Sequence, residues 1–362
     1  MKKLLLVLLI LSLFINHLNA NEKDLQIIQK DKKEYRLLEK ESIQTRQQSQ
    51  KYDWISPIDL SGNIGRNHSF SDENSRNLNN KNTKSASIGF TQSIFESGGI
   101  GFKMDYADNR FKYEMLSWEN QNSQLIYTIY NTLLDIKKLK LEINQNDYRI
   151  VNKDIELIIK KIQYEAGKTD IIELNNAIMS KNLILKEEIA LKNSLKEKEQ
   201  ELAKYTDLKY DEIEILDFQE TNKDIFLDKN YSILEADAKV EMLNSEYKIK
   251  KSQYLPKLSL SAKASYSNQD EKFNSMINDT NKDDASSSGS LILSMPLYDY
   301  TKSSKIQESK IEVLKQKALV NDLKNETAFE YEQIFTRIDT YLKQNETINK
   351  NIKLYEELIG AN

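Results

Sequence analysis

Tyr254-Leu255-Pro256-Lys257-Leu258-Ser259-Leu260-Ser261-Ala262-Lys263-Ala264-Ser265-Tyr266 is the stretch that decides the fold. Leu258, Leu260, Ala262, Ala264 and Tyr266 alternate with Ser259, Ser261, Lys263 and Ser265, the period of a strand with one apolar and one polar face. Pro256 stops the helical pattern before it, because proline lacks the N–H that a helix needs. A second alternating run follows at Leu291, Leu293, Met295 and Leu297. Between the two lies Asn268 to Ser288, rich in Asn, Asp, Ser and Lys, which reads as a long loop in water.

The same arrangement stands about 200 residues earlier. There Ile58, Leu60, Gly62 and Ile64 alternate with Asp59, Ser61, Asn63 and Gly65. Ala86, Ile88 and Phe90 then alternate with Ser85, Ser87 and Gly89, after a polar loop from Ser69 to Lys84. Of nine glycines and three prolines, all but Gly167 and Gly360 fall in these two segments, so helices elsewhere run unbroken.

The longest such helix is read from about Phe102 to Ala166, roughly 100 Å at the rise of an α-helix. Tyr127, Tyr130, Leu134, Leu141, Tyr148, Val151, Ile155, Ile158 and Ile162 follow three- and four-residue steps along it, interrupted by Lys137 and Asn144. Ile334, Ile338, Tyr341, Ile348, Ile352, Tyr355 and Ile359 repeat the spacing near the end of the chain, with Asn345 as the break. Sustained heptads of this kind mean coiled-coil packing. At Ala166-Gly167-Lys168-Thr169-Asp170 one helix stops and another starts: Gly167 suits a C-terminal cap, and Asp170 with Glu173 suits the next N-terminus.

The organisation that follows is a leader over 1–20 and a first repeat over 21–206. That repeat holds a helix, a hairpin at 55–95 and long helices at 102–166 and 170–205. A connector spans 207–228. The second repeat, 229–362, holds a helix, a hairpin at 255–298 and a long helix at 301–359. The internal duplication is the strongest organisational signal. The chain ends at Gly360-Ala361-Asn362, where the first copy still has a helix to run, so roughly 40 residues of a return helix are expected to be missing.

Composition narrows the function. Acids number 56 against 52 bases, spread along the chain for a net charge of -4, which argues against nucleic-acid binding. Lys2, Lys3, the apolar run Leu4 to Ile15 and Ala20 form a secretory signal peptide, the run being shorter than the ~20 residues that span a bilayer. There is no cysteine, and the mature chain holds one histidine, His68, so thiol chemistry, His/Cys metal sites and His-based acid–base catalysis have nothing to use. No catalytic residue, metal ligand or cofactor site is assigned, and the chain does not read as an enzyme. Trp54 stands where a membrane-interface belt would use it, and Trp118 is open between interface and core.

Four strands of this length do not close a barrel, since the smallest membrane barrels need about eight, so partners must supply the rest. A soluble hairpin domain on a periplasmic coiled-coil adaptor or spacer is the competing reading.

The residues resemble the outer-membrane factor, or TolC, family of efflux and type I secretion ducts, over essentially the whole mature chain. Asn230 to Ala238 through Gln253-Tyr254-Leu255-Pro256 and on to Leu260 looks like that family's helix, Leu-Pro step and strand. Leu293-Ser294-Met295-Pro296-Leu297-Tyr298-Asp299 is similar to its Pro-Leu-aromatic step from strand to helix, with Ile94-Phe95-Glu96-Ser97-Gly98-Gly99 as a counterpart lacking the proline. The resemblance implies a mainly α fold with a four-strand β segment: strands contribute to a trimeric outer-membrane β-barrel, and helices to a periplasmic α-barrel. It also implies a homotrimer docked to a periplasmic adaptor, or membrane fusion protein, and an inner-membrane pump, exporting substrate without chemistry. Ala166, Gly167, Lys168, Thr169 and Asp170 would meet the adaptor. Phe95, Gly98, Gly99, Pro296, Leu297 and Tyr298 would form the strand-to-helix transitions, and Asn63, Ser261 and Lys263 would face the lumen.

Overall fold

A computed structural model describes residues 25–70, 78–214, 221–272 and 279–360. The leader lies outside the described residues, as does part of the connector. After a 3-10 turn at Leu25–Ile27 the elements are α1 (Lys30–Tyr52), β1 (Asp59–Phe70), β2 (Leu78–Phe95), α2 (Gly99–Glu165) and α3 (Ile171–Leu202). They continue with α4 (Lys223–Lys229), α5 (Tyr231–Ser252), β3 (Lys257–Lys272), β4 (Asp279–Ser294) and α6 (Lys302–Gly360). Among the described residues the protein is mainly helical with one four-stranded sheet, as the pattern of punctuation residues requires. No described helix is long and apolar enough to cross a membrane.

The chain forms two compact units, Met1–Glu41 with Ser117–Thr221, and Ser42–Leu116 with Asn222–Asn362. In the first, α2 and α3 run antiparallel: Asp135 pairs with Lys198, Arg149 with Glu187, Asp154 with Lys181 and Lys160 with Glu173. Ile129, Leu133 and Ile136 are fully buried there, each burial stabilising by about 1.5–3 kcal/mol. Asn146, 2% exposed, donates from Nδ2 to the Ile184 carbonyl across the two helices at 3.3 Å.

The buried line on α2 is not the heptad series read from the sequence. Tyr127, Leu134, Leu141, Tyr148, Ile155 and Ile162, spaced seven apart, are 49–71% exposed. The helix therefore carries two apolar stripes. A long helix has room for both, and period alone does not say which one the chain's own hairpin uses.

Trp118 belongs to the core of this unit at 3% exposed. Its indole N–H donates to the Arg36 carbonyl at 2.8 Å, and the Arg36 guanidinium stands 5.7 Å from its ring. The same guanidinium donates to Asn122 Oδ1, Gln121 Oε1, Glu39 Oε2 and the Trp118 carbonyl at 2.6–2.9 Å, pinning α1 to α2.

In the second unit α5 packs against α6 through Ile233, Ala236, Val313 and Val320, with Lys324 paired to Asp237. The short α4, in the stretch expected to be plain connector, adds Phe226 against Tyr331 and Lys223 against Glu332. Beyond Thr327 no described residue of α6 is buried.

The sheet has the order β1-β2-β3-β4 with every neighbour antiparallel. Its strands are longer than the alternation suggested. Much of the two stretches read as polar loops is paired strand: β2 begins at Leu78, β3 runs to Lys272, and β4 spans Asp279–Ser294. His68 accordingly lies on β1, paired with Asn80. The backbone ladder supplies the hydrogen bonds, so a strand with both faces in water needs no apolar side chains and loses its sequence signature.

Candidate functional site

Register assigns the faces, because residues directly opposite in an antiparallel pair point the same way. Leu60, Ile88 and Ala264 form one row, ending in Ser287, and Gly62, Ala86, Tyr266 and Ala285 the next; Leu260 with Leu291, beside Gln92, and Leu258 with Leu293 continue the face toward the helices. On β3 this apolar run covers nine residues, about 27 Å along the strand and about 20 Å high at a barrel-like tilt, near the ~25 Å of a membrane barrel's apolar band. Leu60 is 79%, Ile64 83% and Leu293 73% exposed. A soluble sheet would cover such a face against a helix.

Above the band the same face turns polar: Ile64 is followed by Arg66, and Tyr266 by Asn268. Tyr266 marks the margin, its hydroxyl donating to Asp283 Oδ1 at 2.9 Å while Asn268 donates to the same oxygen at 2.7 Å. An aromatic body on the apolar side with a polar tip beyond it suits a bilayer interface.

The opposite face is hydroxyl-lined. Ser61 meets Ser87, Thr91 meets Ser261, Ser93 meets Ser259 and Ser265 meets Ser286, Oγ to Oγ at 2.8–3.4 Å. Asn63, Ser261 and Lys263 all lie on this face, as does Asp59, which the sequence reading had placed on the strand without a role. Among the described residues β1 and β4 have no further strand beside them, so the sheet is open at both edges.

The two strand-to-helix transitions differ. At the first, Phe95 ends β2, Ser97 and Gly98 take positive φ of 50° and 88°, and Gly99 opens α2. A Cβ on Gly99 would lie 2.8 Å from Ser252 Oγ, which closes this turn against the end of α5. Glu96 is 8% exposed and pairs with Lys103 at 2.9 Å. Burial pushes its carboxyl up, but hydrogen bonds from Lys103 and Ser93 and the charges of Lys103 and Lys257 outweigh this and hold it below the ordinary glutamate value. Glu96 escaped the sequence reading, although Glu96 and Lys103 bracket the glycine turn. The second transition is open: Leu297 is 88% and Tyr298 85% exposed, beside Pro296. Asp299 caps α6 there, accepting from the Thr301 N–H and hydroxyl at 2.7 Å.

The turn between α2 and α3 holds Ala166, Gly167, Lys168, Thr169 and Asp170 together. Gly167 has φ of 70°, with its N–H on the Tyr164 carbonyl and the Lys168 N–H on the Gln163 carbonyl, the paired bonds of a Schellman cap. Asp170 Oδ1 accepts from the Glu173 N–H at 2.9 Å, and Thr169 and Lys160 both donate to Glu173 Oε2. Lys160, Thr169 and the exposed Glu173 thus tie the two helix ends, and the hydrogen bond from Lys160, with that from Thr169, lowers the Glu173 carboxyl.

The sheet therefore has one exposed apolar face and one hydroxyl-lined face, and it leads into long helices. Residues 224–362 match the family described as outer membrane efflux protein. No curated protein matches the chain. Among solved structures, the Vibrio cholerae outer membrane protein VceC is similar at a TM-score of 0.68 and 13% identity, over 89% of this chain and 78% of that one. The outer-membrane channel OprN gives 0.68 and 12%, over 91% and 77%. The Campylobacter jejuni CmeC outer membrane channel gives 0.64 and 12%, over 83% and 66%. Residues 224–362 thus match the outer membrane efflux protein family, and the chain shares the fold of these channels, which bears out the resemblance seen in the sequence.

Proposed function

We propose that this protein is the outer-membrane channel subunit of a tripartite efflux or type I secretion system, a passive duct anchored in the outer membrane with helices extending into the periplasm. The observation that carries the reading is the sheet: open at both edges, apolar and exposed on one face, hydroxyl-lined on the other. Three copies of its four strands give twelve, enough for a closed barrel, with β4 of one copy beside β1 of the next. Closure removes both free edges and turns the hydroxyl face into a lumen. The exposed heptads on α2 and the uncovered end of α6 favour helix packing between copies.

The turn from Ala166 to Asp170 is the proposed contact for a periplasmic adaptor, itself coupled to an inner-membrane pump. Detergent extraction of the full-length protein followed by native mass spectrometry and planar-bilayer recording tests the reading. The expected result is a detergent-solubilised trimer that conducts ions. A soluble periplasmic monomer would overturn it and leave the spacer reading in its place.

A further inference from the structure

The hydroxyl face is ordered in rows, and its charge is confined to one of them where the apolar band backs it. Going away from the helices, the rows are Ser93, Ser259 and Ile292; Thr91, Ser261 and Ser290; then Asp59, Gly89, Lys263 and Ser288. Ser61, Ser87, Ser265 and Ser286 follow, then Asn63, Ser85, Ser267 and Asp284 at the outer margin. Asp59 and Lys263 are therefore the two charges inside the band, on one level, one strand apart on either side of Gly89.

Neither is neutralised within the chain. Both are exposed, and no ion pair or hydrogen bond engages either side chain among the described residues. Neighbouring hydroxyls bond one another in pairs and leave the charged row unscreened by protein donors. The width of β2 separates the acid from the base, and Gly89 leaves the space between them empty: a Cβ there would meet the Ala262 carbonyl at 3.0 Å, so no side chain fits without moving β3. The result is a depression of about 440 Å³ lined by Asp59, Gly89, Lys263, Ser61, Thr91 and Ser261.

We propose that Asp59 and Lys263 set the charge selectivity of the barrel lumen, as a balanced row that passes anions and cations alike. The inference rests on the reading of this face as a channel wall. In a trimer the row repeats as alternating negative and positive charges with no net sign. Removing either member leaves one sign uncompensated in a low-dielectric-walled pore, which concentrates the opposite ion.

The test is the reversal potential of the full-length protein in planar bilayers under a potassium chloride gradient, for Lys263→Ser, Asp59→Asn and the double variant. Lys263→Ser is expected to raise the cation-to-anion permeability ratio by roughly twofold or more and Asp59→Asn to lower it comparably, both more strongly at low salt. The double variant is expected to return to the parent ratio. Conducting channels whose ratio is the same in all four proteins would overturn the inference and leave the channel reading intact. A parent protein that does not conduct would overturn both.

Discussion

Ser97 Oγ donates to the Pro256 carbonyl oxygen at 2.7 Å, tying the turn that leaves the first hairpin to the turn that enters the second. This bond and the close approach of Gly99 to Ser252 make the helix-proximal edge of the sheet a packed joint. Gly98 is its most constrained residue: its φ is 88°, and a Cβ would stand 3.1 Å from the Phe102 ring. Gly98→Ala is expected to lower the thermal stability by about 1–3 kcal/mol through backbone strain and contact. Gly167 provides the control, since its φ is 70° but nothing lies within 4 Å of the added Cβ. Gly167→Ala therefore carries the backbone penalty alone, about 1 kcal/mol. Equal melting temperatures for the two variants would contradict the packed joint.

Acid sensitivity should centre on Glu96. Its carboxyl is held below the ordinary value of 4.5, with burial opposing and Lys103, Ser93 and Lys257 prevailing. A carboxyl lowered by folding contributes stability above its unfolded pKa and loses it as pH falls through the folded value. Glu96→Gln is therefore expected to be less stable than the parent at pH 7, by about 1–2 kcal/mol for the lost charged hydrogen bond. The gap should narrow once the pH falls below 4.5. Denaturant melts at pH 7 and pH 4 measure it; a gap that widens on acidification would refute the assignment.

Arg36 is the polar centre of the first unit, 8% exposed and donating to four partners. Lysine cannot replace it, because a single ammonium does not reproduce a planar fork that reaches Asn122, Gln121 and the Trp118 carbonyl at once. Arg36→Ala is expected to cost about 2–4 kcal/mol by leaving buried acceptors without a donor, and Arg36→Lys to recover only part of it. Tryptophan fluorescence during unfolding reports the change, since Trp118 packs on the guanidinium. Full recovery by lysine would show that charge alone matters.

What the sequence disclosed depended on whether side chains or backbone carried the information. The faces of the sheet were legible at Leu258 to Tyr266 because apolar residues occupy one side and polar residues the other at every step. The outer parts of the same strands were not, since Asn79 to Ser85 and Asn268 to Lys272 are polar at every position and read as loops. Helix ends at Glu165 and Ile171 followed from Gly167, whose positive φ few other residues tolerate, and from Asp170, whose side chain caps the next helix. Asp59, Glu96 and Arg36 were missed because an isolated charge has no periodicity; their significance comes from partners that only the fold brings near.

The heptads on α2 were seen, but the stripe read from them is not the one that the α2–α3 hairpin buries, and that difference separates two kinds of substitution. Leu133 is fully buried within its unit, so Leu133→Ala should destabilise the subunit itself by about 2–5 kcal/mol. Leu141 and Tyr148 are 71% and 67% exposed in the lone chain, so arginine at either costs the subunit little. If three copies pack through this stripe, Leu141→Arg and Tyr148→Arg place charges in a coiled-coil seam and should disrupt the trimer while the far-ultraviolet circular dichroism stays helical. Native mass spectrometry of each variant in detergent distinguishes the cases. Trimers persisting in both arginine variants would mean that this stripe faces water or the lumen, and would move the contact between copies to another face of the helices.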